Sequence, residues 1–270
     1  MQGHRPLPRL LYRAGALSEG SRALPEEVAV ALSYNGSTHA VMMATPADLI
    51  DFARGFTLTE GIATLDEIES IEVVETPRGL DLQIWLIEAA AARQAKRRRS
   101  MAGPVGCGLC GIDSLEEALR QQRPIAETSF TMTSAQVLAA IRDLENHQPL
   151  HDQTRAAHGA ALWSDGAIRL AREDVGRHNA LDKLIGAVRA SQHQPGESAL
   201  ILTCRTSVDM VQKACAAGFP VLIAVSAPTA AAVAMAEAAG LTLIALARPD
   251  TFEIFTHAAR IRPEEAAHVA

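Results

Sequence analysis

The stretch from Ala199 to Ala247, ALILTCRTSVDMVQKACAAGFPVLIAVSAPTAAAVAMAEAAGLTLIALA, decides the fold. Its spacing predicts strands at Ala199–Thr203, Val221–Val225 and Leu241–Ala247, separated by helices at Ser207–Ala217 and Pro228–Ala239. Gly218 and Gly240 each follow an Ala-rich helix and precede a short apolar run, the place where a glycine ends a helix. Strands that are apolar throughout have both faces covered, and strand–helix–strand alternation makes part of the sheet parallel. The second half of the chain is therefore α/β.

Upstream, Ser134-Ala135-Gln136 opens a helix with Val137, Leu138, Ile141 and Leu144 on its apolar face. His158–Trp163 and Ile168–Arg172 read as strands joined by the turn Ser164-Asp165-Gly166, and Arg177–Arg189 as a helix. Nearer the start, Glu27–Leu32 and His39–Met43 are apolar runs flanking Asn35-Gly36, a strong hairpin signal. Thr45-Pro46-Ala47-Asp48 is expected to cap a helix carrying Leu49, Ile50, Phe52 and Ala53 inward. Two more strands are expected at Ile68–Val74 and Leu80–Ile87.

Residues 89–106 break this grammar. Ala-rich sequence gives way to Arg93, Lys96, Arg97, Arg98 and Arg99 without apolar periodicity, so a mobile loop or a frayed helix end is expected there. The chain then divides into a small α/β domain, 1–125, carrying a mobile loop at about 89–113, and a second α/β domain, 126–270.

Composition bounds the function. The chain has 270 residues, 48% hydrophobic and 21% charged, with 25 Lys+Arg against 31 Asp+Glu and a net charge of −6. That balance builds a core and excludes wholesale disorder. Aromatics are only 4%, which together with the acidic balance argues against a nucleic-acid binder. The longest uncharged stretch, Phe219–Ala236, contains Pro220, Ser226, Pro228 and Thr229, so no membrane span is expected. Four cysteines form no disulfide framework and point to a reducing compartment, the cytoplasm.

Three segments have the residue types for chemistry. Cys107-Gly108-Leu109-Cys110-Gly111 places two thiols three positions apart, after the cationic run and just before the capping-box signature Ser114-Leu115-Glu116-Glu117. A helix N-terminus and nearby cations favour a thiolate. An activated thiol on a loop suits a group carrier, which must visit a donor and then an acceptor. A zinc site would need further ligands, and Cys204 and Cys215 do not form a second C-x-x-C pair.

In Glu173-Asp174-Val175-Gly176-Arg177-His178-Asn179-Ala180-Leu181-Asp182-Lys183, acids, an Arg, a His and an Asn gather where a strand turns into a helix, a usual location for α/β sites. His178 is equally readable as a site residue or a structural one. Asp182 and Lys183 are expected on an exposed helix face. Thr203-Cys204-Arg205-Thr206-Ser207 ends a strand and starts a helix, a ready phosphate seat. The plainer alternative is that Ser207 caps the helix and Arg205 is solvated. Ser226-Ala227-Pro228-Thr229 repeats the arrangement one strand later, and two such helix starts side by side suit a diphosphate.

With these segments in place, the sequence resembles the formate dehydrogenase accessory sulfurtransferase family, FdhD, from about Glu26 to Ile261. The resemblance rests on RGFTLTEGI from Arg54, CGLCG from Cys107, EDVGRHNALDKLIG from Glu173, RTSVDMVQKA from Arg205, AGFPVLIAVSAPT from Ala217, and GLTLIALAR from Gly240 followed by Phe252 and His257. A departure is Cys204, where the family usually has Gly before Arg-Thr-Ser. The resemblance implies a small α/β domain joined to a cytidine-deaminase-like three-layer domain with a mixed sheet, working as a homodimer.

It also implies a sulfur carrier. Such a protein takes sulfur from a cysteine desulfurase as a persulfide. It delivers that sulfur to molybdenum in the bis(molybdopterin guanine dinucleotide) cofactor before the cofactor enters formate dehydrogenase. Carried over by position, Cys107 is the persulfide bearer and Cys110 a second acceptor or relay. Leu243, Ile244, Ala245, Leu246, Ala247 and Arg248 match the cofactor-contacting stretch, with Arg205, Thr206 and Ser207 near the guanine nucleotide. His178 belongs to the same candidate set. No permanently bound metal is expected.

Two other classes share parts of this pattern. A zinc nucleobase deaminase needs H-x-E and P-C-x-x-C. Here no histidine has Glu two residues later, and Pro104 is three residues before Cys107. A non-catalytic chaperone would hold the cofactor without carrying sulfur.

Overall fold

The structure is a computed structural model that describes residues 3–100 and 124–263. The Cys107–Cys110 motif and the capping box after it lie outside the described residues.

The chain opens with a hairpin, β1 (His4–Arg13) and β2 (Ala16–Pro25), whose side chains are almost all exposed. A four-stranded sheet follows in the order β4-β3-β6-β5, built from β3 (Val28–Tyr34), β4 (Ser37–Ala44), β5 (Ile68–Thr76) and β6 (Gly79–Leu86). The β3–β4 turn is the predicted Asn35-Gly36 pair, both residues at positive φ (46° and 77°), as a two-residue hairpin requires. Helix α1 (Leu49–Thr59) covers one face with Phe52, Ala53 and Phe56, and α2 (Glu88–Ser100) adds Ala90 to the same core.

Two expectations are corrected here, and one hairpin is added. Residues 89–100 are helical, because runs of Ala, Arg, Lys and Gln propagate a helix even without apolar periodicity. Helix α1 begins at Leu49, and Thr45-Pro46-Ala47-Asp48 does not box it: Asp48 is the N-cap residue, left-handed at φ 53°, with no side-chain cap bond. Thr45 is wholly buried and turned to another task. The exposed hairpin at 4–25 had no signal in the apolar pattern, since Pro6, Pro8 and four arginines interrupt it.

The second half is a six-stranded mixed sheet in the order β13-β12-β11-β10-β8-β9. Its strands are β8 (His158–Ser164), β9 (Ala167–Asp174), β10 (Ala199–Leu202), β11 (Val221–Ala224), β12 (Thr242–Ala245) and β13 (Glu253–Ile254). The β10–β11 and β11–β12 pairs are parallel, while β8, β9 and β13 join antiparallel. Alternate side chains serve opposite faces. Leu200, Leu202, Leu222, Ala224, Leu243 and Ala245 pack under α5 (Arg177–Ala190), α6 (Val208–Ala217) and α7 (Ala230–Ala239). Ala199, Ile201, Val221, Ile223 and Ile244 pack on the other side with α3 (Ser134–Leu144). Gly218 and Gly240 close α6 and α7 at φ 85° and 73°, as the sequence predicts.

Helix α4 (Pro149–Thr154) leads into β8, and a short parallel bridge of β14 (Ile261–Arg262) with β7 (Met132–Thr133) brings the end of the described chain back to the start of this half.

Helices α1 and α5 join the two sheets. A Cβ on Gly55 would lie 1.8 Å from the Asp182 carbonyl oxygen, and one on Gly186 would lie 1.9 Å from that of Asp51. Only glycine allows the backbones this close.

Candidate functional site

Parallel strands of an α/β sheet present ligand sites beyond their C-terminal ends. Here β10, β11 and β12 end side by side, and the segments that follow them continue the ladder. Val225 N donates to Leu202 O (2.9 Å), Thr206 N to Ala227 O (3.2 Å), Thr229 N to Thr206 O (3.0 Å) and Leu246 N to Ser226 O (3.3 Å). The result is a rim made of residues 203–207, 225–229 and 246–248. The N-termini of α6 and α7 open onto it. Thr229 caps α7 by accepting from Ala232 N at 3.2 Å.

Ser207 occupies the N-cap position of α6 but makes no cap bond; its hydroxyl donates to Asp209 Oδ2 at 3.3 Å. From α5, His178 Nε2 meets the same oxygen at 3.4 Å. That contact is the main reason the Asp209 carboxyl sits below its ordinary pKa, and Ser207 and the charge of Arg177 act in the same direction. Three buried polar atoms at this rim have no hydrogen-bond partner among the described residues: Arg177 Nε, Thr206 Oγ1 and Asp209 Oδ1.

The candidate residues divide by position. Arg205, Thr206, Ser207 and His178 come together at the rim, Arg205 exposed and Thr206 wholly buried. Leu243, Ile244 and Ala245 are buried strand residues whose side chains belong to the two cores. Only Leu246, left-handed at φ 52°, Ala247 and Arg248 reach the rim. Arg248 folds back, its Nη1 donating to Val225 O (2.5 Å) and Ala247 O (2.9 Å), and so ties two of the rim segments together. Cys107 and Cys110 lie outside the described residues, as does Arg97–Arg99 beyond its helical backbone.

Cys204 is buried behind the rim, and burial pushes its thiol up to about 11 despite the opposing pull of Arg177 and Arg205. Burial likewise pushes Cys215 up to about 12. Both shifts disfavour the thiolate at neutral pH. Among the described residues no group of three or more His, Cys, Asp or Glu could hold a metal ion.

The segment from Glu173 to Gly186 is mostly a joint. Glu173 accepts from Leu150 N (2.8 Å) and His151 N (2.7 Å) and so holds the start of α4. Asp174 accepts from Lys183 Nζ (2.6 Å), Thr45 N (3.0 Å), Asn179 Nδ2 (3.0 Å) and Gly176 N (2.7 Å). Asp182 accepts from Lys213 Nζ (2.9 Å) and Thr59 Oγ1 (2.7 Å), and Lys213 also reaches Glu60 Oε1 (2.8 Å). Burial alone would lower the Lys213 pKa, but the Asp182 and Glu60 carboxylates hold it above the ordinary lysine range. Asp182 and Lys183 are thus buried, not exposed as expected, because partners for their charges come from α1, α6, β9 and the loop after β4 rather than from α5 itself. Sequence spacing within one helix carries no trace of such partners. Arg177 and His178 are the part of the segment that faces the rim.

A cavity of about 510 Å³ lies elsewhere, lined by Gly3, Thr45, Asp48, His147, Arg172 and Glu173 among others and by no rim residue.

The fold and the rim define a mixed α/β protein with a polar sheet edge onto which two helix N-termini open. The chain belongs to the FdhD/NarQ family, whose model matches residues 25–262. It is similar to the sulfur carrier protein FdhD of Agrobacterium fabrum, 52% identical over 260 residues and 96% of each chain. The protein of the same name from Brucella abortus is 51% identical over 259 residues, 95% of this chain and 96% of that one. Among solved structures, a Desulfotalea psychrophila protein assigned provisionally as a formate dehydrogenase accessory protein matches with a TM-score of 0.74 and 25% identity, over 96% of this chain and all of the other. No described helix is long and apolar enough to cross a membrane.

Proposed function

We propose that this chain is a sulfur carrier serving formate dehydrogenase. It accepts sulfur from a cysteine desulfurase as a persulfide on Cys107. It passes that sulfur to the molybdenum of a bis(molybdopterin guanine dinucleotide) substrate seated along the rim. In that step the S–S bond on Cys107 breaks, Cys107 is left as a thiolate, and the two electrons that take the sulfur to the sulfide level come from the reduced metal of that substrate. The observation that carries this reading is the family match over residues 25–262 by a chain that contains Cys107-Gly108-Leu109-Cys110.

The first step balances without an outside oxidant. The Cys107 thiolate attacks the outer sulfur of the donor's cysteine persulfide; the donor's S–S bond breaks as a new S–S bond forms on Cys107, and the donor cysteine leaves as a thiolate that takes up the proton the Cys107 thiol gave up. Cys110 is the second acceptor or relay. The substrate carries several phosphates, and the rim answers them with the helix N-termini of α6 and α7 and with Arg205, Thr206, Ser207 and Arg248. Leu246 and Ala247 shape the same edge.

In this reading residues 1–125 form the thiol-bearing domain and 126–270 the substrate-seating domain, in a cytoplasmic homodimer. The separate core of the four-stranded sheet, from Val30 to Ala90, supports that division. The test is formate oxidation in cells whose own copy is replaced by Cys107→Ala. Activity is lost if the reading holds; formate oxidation at the parent level overturns it.

A further inference from the structure

A two-stranded hairpin standing alone is at best marginally stable in water. The β1–β2 hairpin pairs two ten-residue strands in full register, yet nearly all of its side chains are open to solvent. Pairing sorts them into two unlike faces, because residues directly opposite in an antiparallel pair share a side. Arg5, Arg9, Arg13 and Arg22 all fall on one face. Near the base that face leans on α4, where Arg22 Nη2 donates to Thr154 O (3.3 Å). The other face holds Pro6, Pro8, Leu10, Tyr12, Leu17 and Ala23, with no Lys or Arg and with Glu19 as its one acid. Toward the tip, Leu10, Tyr12 and Leu17 are 66%, 70% and 69% exposed. An arginine face opposite a charge-poor one is the pattern of a ribbon that wets one side and buries the other.

The same chain has a second open surface. Helices α1 and α2 cover the face of the four-stranded sheet made by Val30, Leu32, Leu82 and Ile84. The opposite face presents Ala29, Ala31, Val41, Met43 and Trp85, with Val41 and Met43 more than half exposed.

Charge identifies the occupant. The hairpin has four arginines and one glutamate, a net of +3. Strands β3 to β6 carry Glu69, Glu72, Glu75 and Asp81 and no Lys or Arg, a net of −4. A basic ribbon and an acidic sheet, each with an open apolar face, are complementary, and opposite charge favours their encounter. The hairpin leans on α4 and leaves the sheet face of its own chain uncovered. We propose that this chain pairs with a second copy, each laying Leu10, Tyr12 and Leu17 of its hairpin on the open sheet face of the other. Such a reciprocal contact is closed and two-fold. A hairpin face about 33 Å long and ~10 Å wide covers ~330 Å². Two such contacts, each burying both surfaces, remove about 1,300 Å² in all, within the range of stable interfaces. The proposal rests on the reading of the protein as a homodimer and adds the surface that makes it one. The hairpin lies almost wholly before residues 25–262, which the family model matches, so its substitution leaves the carrier residues in place.

The test is sedimentation equilibrium of the full chain, of its Leu10→Gln/Leu17→Gln and Trp85→Gln variants, and of the two variants mixed. All three positions are exposed, and none of the changes alters the net charge. The parent is a dimer. Leu10→Gln/Leu17→Gln raises its dissociation constant at least about a hundredfold, because four leucines per dimer lose their cover. Trp85→Gln weakens it about tenfold or more, from the other side of the same contact. The mixture associates more tightly than either variant alone, since the hairpin of one and the sheet face of the other keep one contact intact. Ser18→Gln, on the arginine face, leaves the parent's affinity unchanged.

A monomeric parent overturns the proposal together with the homodimer reading, whatever other protein the hairpin then binds. A parent dimer that Leu10→Gln/Leu17→Gln leaves intact overturns the hairpin contact alone. A mixture no tighter than its components overturns the sheet face as the hairpin's seat. Persulfide loading of Cys107, measured on the same preparations, reports the carrier step independently of the pairing.

Discussion

Lys183 Nζ lies 2.6 Å from Asp174 Oδ2, with both side chains wholly out of solvent. Neither charge is satisfied by its own element alone. The Lys183 ammonium also donates to Thr45 O (2.8 Å), and the Asp174 carboxylate accepts from Thr45 N (3.0 Å). Asn179 adds a bond to Met43 O (2.9 Å). One buried ion pair thus clamps the loop after β4, and with it the four-stranded sheet, onto the six-stranded sheet.

Lys183→Met leaves the Asp174 charge buried without its partner. Removing one member of such a pair costs about 3–5 kcal/mol. Urea unfolding should show a loss of that size; a loss under about 1 kcal/mol would mean the pair does not hold the two sheets together.

Gly55→Ala and Gly186→Ala normally favour a helix by about 1 kcal/mol. Here the new methyl groups would strike backbone carbonyls of the opposite helix, which cannot rotate away. Each substitution is predicted to destabilise by about 1–3 kcal/mol or more, and the pair to be non-additive because both act on one crossing. Gly20→Ala, with nothing within 4 Å of its Cβ, is the control and should be near neutral. Gly55→Ala matching that control would contradict the close approach of α1 and α5.

Burial, reinforced by the charge of Arg177, holds the His158 pKa below its ordinary 6.5. The folded state therefore prefers neutral imidazole. The unfolded chain takes up a proton first as pH falls, so stability is full above about 6.5 and declines through that value to the lower folded pKa. Comparing urea midpoints at pH 7.5 and pH 5 should show a drop that is smaller in His158→Gln. An identical drop in the variant would assign the pH dependence to other groups.

Much of this was legible in the chain. The strand–helix alternation from Ala199 to Ala247 places β10, β11, β12, α6 and α7 within a residue or two, because apolar runs and the two closing glycines are local signals. The rim follows from them, since strands that run parallel bring Thr206, Ser226 and Leu246 to one edge. What the sequence did not reveal is set by contacts between distant segments. Asp182 and Lys183 look solvated on α5 until Lys213, Thr59 and Thr45 are brought against them. Asp209 looks like an ordinary first-turn acid until His178 and Ser207 take one of its oxygens and leave the other. Residues 4–25 gave no strand signal, because two strands that bury nearly nothing need no apolar alternation.

The central claim is that Cys107 carries sulfur. Incubating the parent, Cys107→Ala and Cys110→Ala proteins with a cysteine desulfurase and cysteine, then measuring peptide masses, tests it most directly. The account predicts that the Cys107 peptide gains the mass of one sulfur atom in the parent, and that peptides holding the buried Cys204 and the half-buried Cys215 gain none. A parent protein whose Cys107 peptide stays unmodified while the desulfurase is active would contradict it.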